Sequence, residues 1–480
     1  MNKQEEHTEN KKDVKALHRL LRISLACVMS IMLATGCSLN HGGNNASGQT
    51  GANGQHDATG QEGNAGGNGE PNSSANQGGD TSNPPEGTSN GDGGSGQDTG
   101  PDGSHPGGTN TTADDPVLKQ LNQLTTEEKI GQLVLVGMDG TATSAETREL
   151  VQKYYVGGFI FYKNNIDSTK QALSLFNGLK KDNRDNPVPL WMSVDEEGGR
   201  VSRMPDEFVD MPTNLAIGRK NSTELSHGIG QILGRELAGF GLNMDFAPVL
   251  DVNSNPDNPV IGDRSFGNDA ERVARLGKAT MEGIREEHVV PVVKHFPGHG
   301  DTSVDSHIGL PVVNHDLARL RKLELVPFQA AVKDQADVVM IAHLLMPKLD
   351  PDHPASFSKA VITDLLRNEL GFKGVVISDD MTMGAIDKNY SIGKASVGAI
   401  LAGGNIILIG HDYAKEKEAI QALTDAVKNG TISEEVLNDR VYAVLKLKAA
   451  YGITDEPAKG PDVDRINKDA RSLLGKYGLK

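Results

Sequence analysis

The stretch Val289-Val290-Pro291-Val292-Val293-Lys294-His295-Phe296-Pro297-Gly298-His299-Gly300 decides how the rest of the chain is read. An unbroken apolar run rich in β-branched side chains meets a lysine and a histidine, and proline and glycine then stop it. Continuous rather than alternating apolarity is what a strand needs when both its faces are covered. Runs of the same kind recur near Leu133–Val136, Gly158–Tyr162, Leu190–Val194, Met244–Pro248, Val338–Ala342, Val375–Ser378 and Ile406–Ile409. Amphipathic stretches at helical period separate several of them, among them Ser168–Leu179, Thr223–Phe240, Ala270–Glu287, Ala360–Leu370 and Lys394–Leu401. Eight strands alternating with helices over roughly 340 residues predict a (β/α)8 TIM-like barrel with insertions, an open doubly wound sheet being the alternative. Polar residues follow the apolar runs at Asp195, Asp251, Lys294, His295, His343, Asp379 and His411, at the rim where such barrels build their sites.

The barrel does not fill the chain. Thr125 and Glu128 stand at capping-box spacing at the start of the first helix, and the composition is that of a globular protein from about residue 113. Before it, His41 to Asn110 holds 21 glycines and eight acidic residues in 70 positions, with no lysine or arginine and no apolar period. Such a segment cannot offset the entropy of ordering, so residues 37–112 read as a soluble disordered linker. The expected division is a signal over 1–36, the linker over 37–112, the catalytic barrel over 113–455 and a C-terminal tail over 456–480.

The first 36 residues have the order basic, apolar, small. Lys11, Lys12, Lys15, Arg19 and Arg22 precede the run Ile23 to Ala34, which ends in Ala34-Thr35-Gly36-Cys37. The run is short of the roughly 20 residues a membrane span needs, and the pattern is that of an export signal. Its ending resembles a bacterial lipobox, which implies that Cys37 is diacylated and anchors the protein to the extracellular face of the cell membrane. Two acyl chains give stable anchoring where one is marginal.

Charge excludes other tasks. The chain carries −16 overall, of which residues 111–480 contribute −10, so no basic surface is expected for nucleic acid. The only cysteines, Cys27 and Cys37, lie ahead of the barrel, which excludes a disulfide scaffold or a thiolate metal site there. His295, His299, Asp301, Asp305 and His307 have metal-binding side chains. The helical His-Glu-x-x-His spacing is missing, however, and Lys294 adjoins them with a positive charge, so no metal is expected. Gly198-Gly199 and Gly403-Gly404 form no dinucleotide fingerprint, and no cofactor is expected.

Val293 to Thr302, followed by Asp305-Ser306-His307, resembles the signature of family 3 glycoside hydrolases of the β-N-acetylglucosaminidase type. The likeness extends over the body. Ser193-Val194-Asp195-Glu196-Glu197-Gly198-Gly199-Arg200-Val201 is similar to the family's substrate-binding Asp-Gln-Glu-Gly-Gly stretch, with Glu196 in place of the usual glutamine. Ile261 to Gly267 is similar to its arginine loop, and Ile377 to Met383 to its nucleophile strand. The resemblance implies a (β/α)8 barrel; some members carry a second domain, and with so few residues after Tyr451 none is expected here. It makes Asp379 the nucleophile, His307 the general acid/base and Asp305 its assisting carboxylate. Asp195, Arg264, Lys294 and His295 would bind the sugar, and His343, at another strand end, is expected in that set. The implied partners are N-acetylglucosamine-containing oligosaccharides or muropeptides, and a monomer is expected.

Chemistry alone supports a less specific version. Retaining glycoside hydrolysis needs a carboxylate on one face of the sugar and a proton donor on the other. A carboxylate bonded to one imidazole nitrogen fixes the tautomer and raises the basicity of the other, which suits His307 two residues from Asp305. An aspartate after a strand is equally common as a helix N-cap, so Asp379 has a second, structural reading. A β-glucosidase or β-xylosidase is the alternative within the class, and a muropeptide-binding lipoprotein without turnover the alternative outside it.

Overall fold

The computed structural model describes residues 115–479. The expected signal, Cys37 and the linker lie outside the described residues. Eight strands form one parallel sheet: β1 (Val134–Val136), β2 (Gly158–Phe161), β3 (Trp191–Val194), β4 (Met244–Asp245), β5 (Val290–Phe296), β6 (Val338–Ile341), β7 (Val375–Ser378) and β8 (Ile407–Ile409). Each strand pairs with its sequence neighbours, β1 also pairs with β8, and a parallel bridge between Ile377 and Ile406 joins β7 to the start of β8. Helices follow the strands around the outside, and the result is the (β/α)8 barrel expected from the alternating runs.

The strands read as unbroken apolar runs because their two faces meet different cores. Leu135, Ile160, Trp191, Met244, Phe246, Val292, Met340, Ile377 and Leu408 fill the barrel interior, whereas Val134, Val136, Phe159 and Phe161 pack against the surrounding helices. The helices obey local signals. Thr125 and Glu128 form the expected capping box, Thr125 Oγ1 accepting from the Glu128 N–H and Glu128 Oε2 from the Thr125 N–H. The helix Thr223–Phe240 is capped by Ser222 and ends at Gly241, whose φ of +71° a side chain would oppose. It lies close against the helix Ala270–Glu286: a Cβ on Gly230 would stand 2.3 Å from the Thr280 carbonyl oxygen, so only glycine allows that approach.

At the N-terminal end of the barrel, Lys448 is buried on the helix Glu434–Ala450. Its ammonium donates to Gln132 Oε1 at 2.8 Å, the Gly157 carbonyl at 2.9 Å and the Pro189 carbonyl at 2.6 Å, residues that lead into β1, β2 and β3. These bonds make Lys448 a clamp on the closed end, and burial pushes its pKa down to about 7.

The C-terminal segment expected as a tail carries a helix of its own. Val463–Lys476 is a helix capped by Asp462, with Ile466, Ala470 and Leu474 buried on the barrel. Asn467 bonds the backbone of Glu207 and Val209, and Asp469 bonds Arg235 at 2.7 Å. Apolar residues four apart suffice here because the partner surface supplies the rest of the apolar contact. Among the described residues no helix is long and apolar enough to cross a membrane.

Candidate active site

A cavity of about 400 Å³ opens at the C-terminal ends of the strands. Asp195, Arg264, Lys294, His295, Asp305, His307 and Asp379 all line it, although they come from four separate parts of the chain. Each is delivered by a strand end or the loop that follows. Asp195 follows β3, Lys294 and His295 end β5, Asp305 and His307 lie in the loop after β5, and Asp379 follows β7.

Lys294, 1% exposed, is the hub of the floor. Its Nζ lies 2.5 Å from Asp195 Oδ1 and 2.6 Å from Glu197 Oε1. Glu197 also accepts two parallel bonds from the Arg264 guanidinium, at 2.8 and 2.7 Å. Burial alone would discharge Lys294, but the two carboxylates outweigh it and hold the ammonium above its ordinary pKa. Burial likewise opposes charge on Glu197, yet Arg264 and Lys294 keep its carboxyl far below the usual carboxylate range. The result is a fixed lattice of charge in a site shielded from water, suited to hold sugar hydroxyls in one orientation.

Behind it, His295 Nδ1 is 2.6 Å from Asp251 Oδ2, and Asp251 Oδ1 accepts from the His299 N–H at 2.7 Å. His299 is buried with its ring between Thr302 Oγ1 and Ser306 Oγ. Burial, with His295 beside it, pushes its pKa down to about 4, so it is neutral at physiological pH. Asp301 pairs instead with His315. Of the five side chains weighed as metal ligands, His295, His299 and Asp301 bond to groups outside that set, and Asp305 pairs with His307.

Two adjacent aspartates follow β7, and their surroundings assign them different work. Asp380 Oδ1 accepts from the Thr382 N–H, the Thr382 hydroxyl and the Gly410 N–H, and its Oδ2 takes the Tyr162 hydroxyl at 3.3 Å. It is a tie between the ends of β7 and β8. Asp379 has one such bond, from the Asp380 N–H to Oδ1 at 2.8 Å, and Oδ2 has no protein donor among the described residues. Asp379 is no helix cap, since the next helix begins at Gly384. Burial disfavours its charge, but His295, His343, the Asp380 N–H and Lys294 together hold its pKa below the ordinary value. A partly exposed carboxylate with one oxygen free is what attack on an anomeric carbon needs.

His307 lies in the cavity wall with its side chain 64% exposed. Asp305 Oδ1 accepts from both the His307 N–H, at 2.8 Å, and the ring Nδ1, at 2.7 Å. Nδ1 is therefore the donor nitrogen, and Nε2 is left free to exchange a proton. The loop carrying it is docked on the segment after β7: the Ala385 N–H donates to the Ser306 carbonyl and Lys388 Nζ to the Ile308 carbonyl. A Cβ on Gly384 would stand 2.5 Å from the His307 carbonyl oxygen, so the docking depends on glycine there.

His343 corrects the expectation that it binds sugar. It is fully buried and outside the cavity lining. Its Nε2 donates to the Asp380 carbonyl at 2.9 Å, and its Nδ1 accepts from Ser356 Oγ at 2.8 Å, so neither nitrogen is free. It braces the loop that carries Asp379. Conversely, Glu197, Asp251 and Tyr162 matter more than the sequence reading gave them credit for. Glu197 and Asp251 lay within the motif and rim positions already singled out, but their partners are far off in sequence. Tyr162 ends the β2 run and stacks on His411 with ring centroids 4.4 Å apart.

A barrel whose rim gathers a buried charge lattice, one partly exposed carboxylate and one aspartate-oriented histidine holds the groups that carbohydrate hydrolysis requires. Residues 125–447 match the profile of the Glycosyl hydrolase family 3 N terminal domain, and the chain belongs to that family. It is 34% identical over 332 residues to a protein of Pseudoalteromonas piscicida named β-hexosaminidase A, covering 64% of this chain and 56%, a little over half, of that relative. It is 35% identical over 291 residues to the β-hexosaminidase of Pseudomonas aeruginosa strain LESB58, covering 60% of this chain and 86% of the other. A solved glycoside hydrolase family 3 β-N-acetylglucosaminidase from Paenibacillus sp. strain FPU-7 superposes with a TM-score of 0.70 at 41% identity, covering 74% of this chain and 69% of that one. The protein is a glycoside hydrolase of the family 3 β-hexosaminidase type.

Proposed function

We propose that the protein removes terminal non-reducing β-N-acetylglucosamine residues from oligosaccharides, peptidoglycan fragments foremost, with retention of configuration and through a covalent glycosyl-enzyme. One observation carries this: the free carboxylate oxygen of Asp379 and the free Nε2 of His307 belong to side chains lining one cavity floored by Lys294, Asp195 and Arg264. Asp379 attacks the anomeric carbon while His307 gives its Nε2 proton to the departing oxygen. Asp305 stabilises the imidazolium before that transfer and fixes the tautomer after it. In the second step His307 takes a proton from water, which displaces Asp379 and restores the starting state. Asp195, Lys294, Arg264 and His295 orient the sugar.

The names of the two curated relatives and of the Paenibacillus structure support the choice of sugar. Lipidation of Cys37 would hold the enzyme outside the cytoplasmic membrane, where cell-wall fragments are released, with residues 38–112 as its linker. The test is proton NMR of the first-formed sugar from an aryl β-N-acetylglucosaminide and from purified wall fragments. The expected product is the β-anomer of N-acetylglucosamine from both. An initial α-anomer, or no turnover of either, would overturn the reading.

A further inference from the structure

Directly behind the charge lattice lies a second group of carboxyls that the mechanism does not use. Glu196, between Asp195 and Glu197, is 1% exposed; Asp245, at the end of β4, is 0% exposed; Glu236, on the helix Thr223–Phe240, is 2% exposed. Glu196 donates its backbone N–H to Asp245 Oδ1 at 3.0 Å. Its own Oε2 accepts from the Arg203 N–H at 2.7 Å and the Met204 N–H at 3.3 Å. Asp245 Oδ2 and Glu236 Oε1 are buried without any hydrogen-bond partner. Glu196 and Glu236 line a cavity of about 180 Å³ roofed by residues 202–211.

The cations near the group are bound mainly to other residues, and Arg203, whose Nε is buried without a hydrogen-bond partner, also pulls on Glu196. Lys294 serves Asp195 and Glu197. Arg203 faces Asp195 at 3.8 Å, and Arg235 binds Asp469 and Glu287. Lys163 donates to the Met204 carbonyl and lies 3.7 Å from Asp206. The other charged groups on this cavity, Asp206 and Asp210, are acidic. Three carboxyls in such a place cannot all ionise, so they retain protons among them.

The consequence reaches the sugar site through the backbone. The turn whose N–H groups Glu196 holds includes Arg203, the neighbour of Asp195, and Asp195 holds Lys294. We propose that Glu196 is a positioning residue: accepting from the Arg203 and Met204 N–H groups, it seats the 202–204 turn and Arg203 against Asp195, and when its cluster with Asp245 and Glu236 loses its protons, repulsion among the buried carboxylates outweighs those bonds, drives Glu196 into the adjoining cavity and frees the turn. The adjoining cavity gives the ionised carboxylate room to move and hydrate. Burial pushes the pKa of Glu196 up to about 7, against the pull of the Arg203 N–H, Ser202 and the Arg203 charge. Burial and then Glu196 and Asp245 push Glu236 up, and burial, Glu196 and Asp195 do the same to Asp245. A carboxyl whose folded pKa is raised favours the closed arrangement below its free value and loses that contribution as pH rises through the folded one. The release therefore belongs to the neutral to mildly alkaline range.

The effect on KM rests on the proposed sugar site, and hydrogen exchange reads the turn without it. Amide exchange at Arg203 and Met204, corrected for its intrinsic pH dependence, and KM for an aryl β-N-acetylglucosaminide are followed from about pH 5.5 to 8.5 in the full chain and in Glu196→Gln and Glu236→Gln. In the unaltered protein protection should fall about tenfold and KM rise at least about threefold, on the scale of one pKa unit of linkage. In either variant a neutral amide removes one titrating carboxyl from the group, and both quantities should change less than about twofold. Profiles of Glu196→Gln that superimpose on the unaltered protein, or a KM offset that is constant with pH, would overturn the proposal. Should Glu196→Gln fail to fold, Glu236→Gln decides by the same criteria. Without turnover of any substrate the proposed function fails, and exchange still decides whether Glu196 holds the turn.

Discussion

Replacing His307 with alanine separates chemistry from folding because of where the ring stands. Its side chain is 64% exposed and that of Asp305 29%, with a single contact of 2.7 Å between them. A pair so exposed contributes at most about 1 kcal/mol, and the change should leave the melting temperature within a few degrees. Loss of a proton donor is a larger matter, about 10²- to 10⁴-fold, or ~3 to 5.5 kcal/mol. That loss applies only when the leaving group needs the proton. Cleavage of a chitobiose-like disaccharide should therefore fall by the full factor in kcat/KM, and a dinitrophenyl glycoside, whose phenolate departs unaided, should lose less than about tenfold. With the activated substrate the second step lacks its base, so azide should restore turnover and appear in the product as a glycosyl azide. Asp305→Asn keeps the ring and an acceptor for Nδ1 but removes the charge, so its loss should be about tenfold, on the scale of one charge-assisted hydrogen bond. The assay is kcat/KM over a series of leaving groups for the three proteins. Equal losses for good and poor leaving groups, with no azide product, would refute proton transfer by His307 and leave it a binding residue.

Glu197→Gln should destabilise the protein by about 3 kcal/mol in urea denaturation, since it strips buried Arg264 and Lys294 of their shared carboxylate; a loss under about 1 kcal/mol would mean that water replaces the carboxylate. Lys448→Met leaves three acceptors unpaired at the closed end of the barrel and should cost about 2 to 4 kcal/mol with kcat/KM of the surviving fold unchanged, read by thermal unfolding beside kinetics. Because His295, His343 and the Asp380 N–H outweigh burial and keep Asp379 ionised, kcat/KM for a dinitrophenyl glycoside should not fall as the pH is lowered from neutrality to about 5. A fall above that pH would place the nucleophile's pKa above the normal carboxylate range.

The barrel was legible because strands covered on both faces must be apolar throughout, and nothing else in the chain combines short Val/Ile runs with helical spacers. All eight runs became strands, within a few residues of their expected limits. Strand ends also pointed to the rim, but that signal does not distinguish a side chain in the cavity from one behind it. His343 and Lys294 both end apolar runs; one is used up by Ser356 and the Asp380 carbonyl, the other carries the floor. What decides between them is contact with residues tens of positions away, such as Asp195, 99 residues from Lys294. For the same reason Glu197 could be quoted within a motif while its grip on Arg264, 67 residues on, stayed hidden. The helix Val463–Lys476 was legible too, since Val463, Ile466, Ala470, Leu473 and Leu474 recur at helical spacing, but which surface they cover is not written locally.

The central claim is that Asp379 becomes covalently bound to the sugar. A dinitrophenyl β-N-acetylglucosaminide mixed with the His307→Ala protein, quenched in acid and digested, should give one N-acetylhexosaminyl adduct on the peptide that contains Asp379, and Asp379→Asn should give neither adduct nor turnover. An adduct on another residue, or full turnover by Asp379→Asn, would contradict the account.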